Sequence, residues 1–247
     1  LDQTDTWTGC KMIVTNGMSL ESNAVVRFFS STNECYLPVS ASYRQTNYVG
    51  RYGLSSLWLS NSTYGVTYRY YIGVTNSSSM HLTDSTFRIE RDPSVGTFNM
   101  YIGSGAGSHT GELELVRSRM LYNSVNFGSH IWLGNFCSGR LTLRNSTLGT
   151  GVFHFENLTS YGGTATSTVD QAVGWFDAST VMVSRCAVGG DPDYGAANGK
   201  FTFTNGSLLT LSRKPTWQNK PGLYIGYSGG KQYTSTVTVA GSRVENT

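Results

Sequence analysis

Few residues in this chain could do acid–base or metal chemistry. A glycoside hydrolase needs a pair of carboxylates, and a calcium-dependent lyase needs several acids that hold the cation. The nearest approach is Asp191 and Asp193 in the loop sequence GGDPDYG. Asp residues in such a Gly/Pro-rich stretch also cap their own backbone in an ordinary polar turn. The polar turn is the simpler interpretation, and the loop remains the first place to look for a cation or acid site.

The other reactive side chains form no recognisable site. The chain has four histidines: His81, His109, His130 and His154. None stands in a His-x-x-x-His or Cys-x-x-Cys frame, so the sequence predicts no metal site. His81 and His154 occupy the middle of apolar-x-apolar segments, and we expect both on the surface. No Gly-x-Ser-x-Gly elbow is present, and we predict no catalytic residue, metal ion or cofactor.

Composition narrows the class of protein. Charged residues make up only 13% of the 247 positions, and the net charge is +3 with no basic run, which argues against a nucleic-acid partner. Good helix formers are depleted, while Gly, Ser, Thr and Tyr are abundant. No run approaches the length of a membrane span. We therefore expect an all-β protein with no membrane span.

A repeat organises the whole chain. Four times an aliphatic residue and a glycine are followed, seven residues after the glycine, by an alternating apolar segment: Val49-Gly50 with Leu57, Ile72-Gly73 with Met80, Leu133-Gly134 with Leu141, and Val173-Gly174 with Val181. Two further copies, Ile102-Gly103 and Ile225-Gly226, carry extra Gly- and Ser-rich residues in the connector. A unit that recurs with insertions only in its connector is a structural repeat.

The alternating half of the repeat predicts one strand per copy. Ten copies begin between Met12 and Val237, at a mean spacing of 25 residues (225 ÷ 9). Alternation indicates half-buried strands, and the Asn-Gly, Asn-Ser or Asp-Ser pairs at their ends favour turns. The pattern predicts an all-β, single-stranded, right-handed parallel β-helix of about nine or ten coils, with a Greek-key sandwich or a propeller as the alternative.

No linker divides the repeats, so the chain is expected to be one domain over residues 1–247, either alone or as one segment of a longer rod. The stretch Gly111–Phe127 also fits an amphipathic helix. The repeat alignment instead places Leu113 and Leu115 on a strand, and we follow the alignment.

The segments LTLRNSTL at 141–148, MHLTDSTF at 80–87 and VTVAGSRV at 237–244 resemble the coils of pectin-lyase-like parallel β-helices. The Gly/Ser/Thr-rich style is most similar to autotransporter passengers and related bacterial surface adhesins. This resemblance spans about Met12 to Val244 and implies a way of coiling that enzymes, phage tailspikes and adhesins share. The acid and base series of polygalacturonases is missing, and the nearest string, RIE at 88–90, lacks its lysine. We therefore expect no activity on uronate polymers.

Aromatic residues recur at one place in the repeat, just before the aliphatic-Gly pairs. They are Tyr48, Tyr71, Tyr101, Trp132 and Tyr224. Stacked on successive coils, they would form a ladder along one face. An exposed ladder would suit sugar binding, and a covered or purely structural ladder is the alternative.

The spacing of two cysteines predicts a disulfide. Cys10 and Cys35 each precede an alternating segment by two residues and lie 25 residues apart, which is one mean repeat. Equivalent positions on neighbouring coils are about 4.8 Å apart, within the Cα range of a disulfide. We predict a Cys10–Cys35 bridge and an oxidising compartment, with two free thiols as the alternative. Cys137 and Cys186 occupy different repeat positions and are not paired.

Five asparagines stand in Asn-x-Ser/Thr frames, which is about the number that chance gives in a chain so rich in Ser and Thr. The candidate glycosylation sites are Asn61, Asn76, Asn145, Asn157 and Asn205.

Together these features predict an extracellular or cell-surface structural and adhesive solenoid without enzymatic activity. Its last copy ends three residues before the end of the sequence, and no cap is recognisable. We expect head-to-tail self-association into a fibre and multivalent surface contacts, including contacts with a carbohydrate or other cell-surface ligand. A polysaccharide-active β-helix and a non-filamentous binding module are the alternatives.

Overall fold

A computed structural model of the chain describes residues 3–14, 18–35, 46–67, 69–90, 98–123, 128–151, 154–160, 171–189, 198–213, 221–226 and 234–247. Within these ranges the regular structure consists of strands, without a helix, and the strands pair in parallel. The parallel β-solenoid expected from the repeat is confirmed.

The strands form three stacks along the rod, and neighbours in a stack come from successive coils. The first stack is a nine-stranded sheet: β1 (Gln3–Thr8), β4 (Ala24–Phe29), β7 (Ser56–Ser60), β10 (Ser78–Thr83), β13 (Thr110–Val116), β16 (Ser138–Arg144), β19 (Ala172–Asp177), β21 (Gly199–Thr204) and β24 (Ser235–Val239). The second stack contains β2 (Lys11–Val14), β5 (Thr32–Cys35), β8 (Thr63–Val66), β11 (Thr86–Glu90), β14 (Arg119–Asn123), β17 (Thr147–Leu148), the first half of β20 (Thr180–Val188), β22 (Leu208–Leu211) and β25 (Arg243–Asn246). The third contains β3 (Ser19–Leu20), β6 (Asn47–Val49), β9 (Tyr70–Ile72), β12 (Phe98–Ser104), β15 (Ser129–Asn135), β18 (Phe155–Ser160), the second half of β20, and β23 (Gly222–Ile225).

The core is a stack of identical strand positions. In β10, Met80 and Leu82 point inward and are fully buried, whereas His81 between them points outward. Met80 lies between Leu57 and Leu113 of the adjoining coils. Because side chains alternate with a period of two, each coil adds one layer of apolar residues to a continuous interior.

The stretch that also fitted a helix follows the same rule. Thr110–Val116 and Arg119–Asn123 are strands β13 and β14, in register with the coils on either side. The repeat alignment was therefore the better guide to this segment than its helical periodicity.

A serine ladder, buried except at its last member Ser242, marks the corner between the first and second stacks. One serine in each coil donates its backbone N–H to the Oγ of the serine in the next coil, at 3.0 to 3.1 Å. Its own hydroxyl donates to a carbonyl two or three residues earlier in the chain. The ladder comprises Ser31, Ser62, Ser85, Ser118, Ser146, Ser179, Ser207 and Ser242.

The residue before each ladder serine makes the sharp bend. Ser30, Asn61, Asp84, Arg117 and Asn145 all have φ between +48° and +49°. This left-handed conformation is unusual away from glycine, and Asn and Asp tolerate it best. The Asn-Ser and Asp-Ser pairs seen in the sequence are thus corner chemistry, with one polar residue for the bend and one serine for the ladder.

The aliphatic-Gly pairs close the third stack, with one correction. Val49, Ile72, Ile102 and Leu133 share one column, and the glycine after each has φ between +70° and +77°. The pair Val173-Gly174, taken from the sequence as another copy, is instead part of β19, where Gly174 is level with Leu141 and Phe201. Lack of a side chain at that glycine leaves room for the Phe176 and Phe201 rings. The matching pair in that coil is Val188-Gly189, where the glycine has φ +81°.

The predicted Cys10–Cys35 disulfide is wrong. Cys10 is a free thiol whose Sγ lies 3.3 Å from the Oγ of Ser31. The first two coils are offset by 21 residues, so Cys35 lies opposite Val14 (35 − 14). Four residues of strand then separate Cys35 from the level of Cys10, which is about 13 Å and too far for a bridge. No disulfide occurs among the described residues, where Cys137 and Cys186 are also free.

Candidate functional site

Four of the five aromatic residues singled out in the sequence form a ladder on the third stack. The ring centroids are 5.3 Å apart for Tyr48 and Tyr71, 4.7 Å for Tyr71 and Tyr101, and 6.5 Å for Tyr101 and Trp132, with planes within 24° of parallel. Tyr224 lies in the same column but is separated from Trp132 by two coils. The guanidinium of Arg185 lies 5.5 Å from its ring centroid instead.

Ring-to-ring contacts within the ladder determine whether its faces are open to a sugar. Binding a sugar needs an open ring face, whereas here the faces contact one another along the rod. Trp132 is only 4% exposed, its ring also stacks with that of His130 at a centroid distance of 4.9 Å, and its Nε1 donates to Asn99 Oδ1 at 2.9 Å. The arrangement therefore favours a structural ladder that holds successive coils in register.

His130 is tuned to remain neutral. It is 5% exposed, and its Nδ1 hydrogen-bonds the side-chain amide of Asn157 in the next coil. Burial, with a smaller contribution from the positive charge of Arg185, lowers the pKa of His130 to about 3. A neutral buried imidazole stacked on Trp132 suits packing at physiological pH.

The two histidines expected on the surface differ from each other. His81 points outward from the first sheet. His154 is 2% exposed, and its ring nitrogens meet the carbonyl oxygens of Gly151 and Ser212 and the hydroxyl of Ser184 at 2.6 to 3.1 Å. The expectation for His154 was therefore wrong. Those contacts take up both ring nitrogens, so the residue joins neighbouring coils instead of facing solvent.

The outer face of the first sheet carries a second polar and aromatic array, which we name the Trp58–Trp175 band. It consists of Trp58, His81, Glu114, Arg144 and Trp175. His81 stacks on Trp58 with ring centroids 3.9 Å apart and hydrogen-bonds Glu114 at 3.1 Å. Arg144 lies 3.6 Å from Glu114 and 5.0 Å from the ring centroid of Trp175.

Sequence reasoning missed this band, although a signal was present. Trp58, His81 and Glu114 are the middle residues of three aligned apolar-x-apolar segments, so the alignment already placed them in one column. The far end was hidden because Val173-Gly174 had been assigned to the wrong stack. Both tryptophans at the ends are about 40% exposed, at 41% and 39%, so the band presents a solvent-facing surface.

Carboxylates on the described surface are mostly paired with arginines. Arg117 makes a two-pronged contact with Asp84 at 2.7 and 2.8 Å, which lowers the pKa of Asp84. Glu112 pairs with Arg140 at 3.2 Å. Asp191 and Asp193 lie outside the described residues. Within the described ranges, no group of three His, Cys, Asp or Glu side chains is placed to hold a metal ion.

The candidate glycosylation sites fall into two groups. Asn61, Asn145 and Asn205 are exposed corner residues with positive φ beside the serine ladder, and Asn76 lies in a polar turn between the third stack and the first sheet. Asn157 is fully buried in β18 beside His130. The corner accounts for three of these frames, because Asn61 and Asn145 make the bend before a ladder serine and a Thr, and Asn205 precedes Gly206 and the ladder residue Ser207. Among these five asparagines, only the buried Asn157 is out of reach of a glycan.

Comparison with known proteins adds no relative: no family model, no curated protein and no solved structure matches the chain. The described part of the chain also contains no helix suited to crossing a membrane.

Proposed function

We propose that the protein is an extracellular structural and adhesive β-solenoid that stacks head to tail into a fibre, with coils that resemble pectin-lyase-like parallel β-helices and are closest in style to autotransporter passengers and bacterial surface adhesins. Its free cysteines do not add to the argument for an oxidising compartment, so the extracellular location rests on the resemblance alone. The observation that carries the stacking proposal is that inward-facing apolar side chains are exposed to solvent at the two outermost described coils.

At these coils no neighbouring strand packs over the inward-facing apolar side chains, and they are exposed to solvent. Val239 is 44% exposed although Phe203, one coil inside it, is fully buried, and Ile225 is 51% exposed over the fully buried Val188. At the opposite end Trp7 is 45% exposed. Exposed strand edges with apolar cross-sections are surfaces on which further strands pair.

A second copy of the chain is the occupant that fits both surfaces. The column that begins at Thr6 runs through every strand of the first sheet to Thr238. Continuing the sheet from one copy into the next would place Thr6 of the second copy beside Thr238 of the first. Each end would then supply the backbone partners and the apolar layer that the other lacks. Contacts of this heterologous kind do not close, so they generate a filament.

Adhesion would follow from repetition. A fibre would present the Trp58–Trp175 band once per subunit at a regular interval. Weak contacts made many times gain avidity without any single strong site.

We further propose that the chain is not an enzyme. In the first sheet, Glu112 is paired with Arg140, and Glu114 with Arg144 and His81. Asp177 accepts hydrogen bonds from Thr204 and Asn205. The polysaccharide-active alternative depended on Asp191 and Asp193. Both lie outside the described residues, so the structure gives this alternative no support.

The stacking is tested by cysteine cross-linking. Thr6→Cys and Thr238→Cys are combined in a chain that also carries Cys10→Ser, and the protein is oxidised at several concentrations. Neighbouring strand positions about 4.8 Å apart allow a disulfide, so we expect a ladder of covalent oligomers on a non-reducing gel. Electron microscopy of the same sample should show fibres.

The matched control joins Thr6→Cys with Thr202→Cys in the same background. Position 202 lies one coil further in, about 10 Å from the second copy's Thr6, and should not cross-link. Protein that remains monomeric at high concentration, or equal cross-linking of both pairs, would contradict head-to-tail stacking.

A further inference from the structure

An open groove of about 880 Å³ crosses the first sheet beside the Trp58–Trp175 band. Its floor is one outward column that crosses β1, β4, β7, β10 and β13: Thr4, Val25, Ser56, Ser79 and Glu112. The column runs along the rod axis and spans four strand spacings, about 19 Å. One side is formed by Asn23, Leu54 and Ser77, which precede their strands, and by Thr110, the first residue of β13.

Hydroxyl and amide groups in this groove are held in fixed positions. The Ser56 and Ser79 hydroxyls hydrogen-bond each other at 3.0 Å. Asn23 Oδ1 accepts the backbone N–H of Leu54 at 3.2 Å, and Ser77 Oγ accepts that of Thr110 at 3.0 Å. The Asn23 amide and the Ser77 hydroxyl keep hydrogens to donate. Side chains ordered before binding cost less entropy when a ligand arrives.

Charge and shape decide what class of molecule fits. Glu112 is the only charged residue in the described lining, and its carboxylate is paired with Arg140. An anionic ligand would find no positive group in this lining. Among the floor strands, β4, β7, β10 and β13 are paired on both edges within the sheet, and the one free edge, on β1, faces the end of the rod, so a peptide strand lying along the groove would find no backbone to pair with.

An uncharged polyol chain matches the remaining features. Its hydroxyls can exchange hydrogen bonds with the Ser, Thr and Asn side chains, which recur at the strand spacing, close to the length of one sugar ring. Its apolar C–H faces can rest on Val25 and on Leu54, which is 60% exposed. Trp58 points outward two residues along the strand from Ser56, about 7 Å away, and borders the groove with an aromatic surface.

We propose that this groove binds a neutral, extended glycan lying along the rod axis, with about four sugar rings over the floor. The proposal rests on the adhesive function above and names the ligand class of that function. A site that runs along the rod would let a long glycan pass from one subunit of a fibre to the next.

The test uses soluble β-1,4-linked hexasaccharides of glucose, mannose, xylose and N-acetylglucosamine, with hexagalacturonate as the acidic comparison. Binding is measured by saturation-transfer NMR and calorimetry on dilute protein. Ser79→Arg places a long side chain across the floor. Val173→Arg introduces the same side chain at the same column in β19, beyond the described groove.

We expect saturable binding of at least one neutral hexasaccharide, weakened on the order of tenfold or more by S79R and by less than about twofold by V173R. Circular dichroism and thermal melting of both variants establish that they are folded. No binding of any neutral hexasaccharide, equal loss in both variants, or preference for hexagalacturonate would overturn the proposal.

The outcome is independent of fibre formation, because glycan binding is measured on dilute protein. Failed cross-linking between positions 6 and 238 with intact glycan binding would reject only the stacking. Successful cross-linking without glycan binding would reject only the groove.

Discussion

Removing one rung of the serine ladder should cost far more in the middle of the rod than at its end. In Ser118→Ala, the backbone N–H of Ser85 loses its acceptor, the Ser118 hydroxyl at 3.0 Å. Ser118 and Ser85 are only 2% and 4% exposed, so water has little access to the orphaned donor. The carbonyl of Val116, which accepted the lost hydroxyl, still accepts the N–H of Asp84 at 3.0 Å.

The magnitude follows from that accounting. One buried donor is left unsatisfied and no second group is orphaned, which costs about 2 kcal/mol. In urea, with a slope near ~3 kcal/mol/M for a chain of this size, the midpoint should fall by about 0.7 M. The hydroxyl-to-hydrogen change removes little volume, so cavity effects should be small beside the lost hydrogen bond.

Ser242→Ala is the matched control. It deletes the same acceptor from the same ladder, because Ser207 donates its N–H to Ser242 Oγ at 3.1 Å. Ser242 is partly exposed in the outermost coil, so water can replace it, and the loss should be no more than about 1 kcal/mol.

Both variants are compared by urea unfolding of dilute protein, followed by circular dichroism and tryptophan fluorescence. Coincident transitions by the two probes are required, since repeat proteins can unfold in parts. Equal losses in S118A and S242A, or a loss below ~0.5 kcal/mol in S118A, would refute the idea that buried backbone satisfaction holds this corner.

Three further outcomes follow from the described side chains. Burial raises the pKa of the Cys137 and Cys186 thiols to about 12, so both stay protonated at pH 8. In the folded protein they should resist iodoacetamide, whereas the half-buried Cys10 should react. Modification of all three cysteines at one rate, measured by mass spectrometry, would contradict this prediction. Because folding lowers the pKa of His130 from 6.5 to about 3, the unfolded chain binds more protons in that window, and the free energy of unfolding should fall as pH drops through it. His130→Gln should show a shallower fall than the parent chain over that range, and an unchanged pH profile would argue against a neutral buried imidazole. Tyr71→Leu loses two ring-stacking contacts and should lower the free energy of unfolding by about 2 kcal/mol with a reduced near-ultraviolet signal; an unchanged urea midpoint would show that the aromatic ladder does not stabilise the rod.

Much of the architecture could be predicted from the sequence because it repeats within each coil. Alternation such as Met80-His81-Leu82 is a local property that fixes which side chains face inward. The corner pair Asp84-Ser85 is equally local, since one residue must adopt a positive φ and the next must hydrogen-bond backbone. The aromatic column could be found in the same way for its four contiguous members.

Distances between coils could not be obtained by counting along the chain. The connectors vary, so equivalent positions lie from 21 residues apart (Asp5 to Val26) to 37 apart (Cys186 to Leu223), and the mean of 25 misplaced Cys35 relative to Cys10. A disulfide depends on a few ångströms, whereas the fold tolerates insertions of many residues in its loops.

The sequence by itself therefore determined the parallel solenoid, the inward and outward faces of its strands and the residues at its corners, because these depend on neighbours along the chain. Only the tertiary structure decided which outward residues meet. In the folded chain the tyrosine rings stack face to face on one another, and His154 is buried. Contacts through His81, Glu114 and Arg144 connect Trp58 to Trp175. Contacts across coils depend on register and on what covers each face, and neither is encoded in the spacing of one repeat.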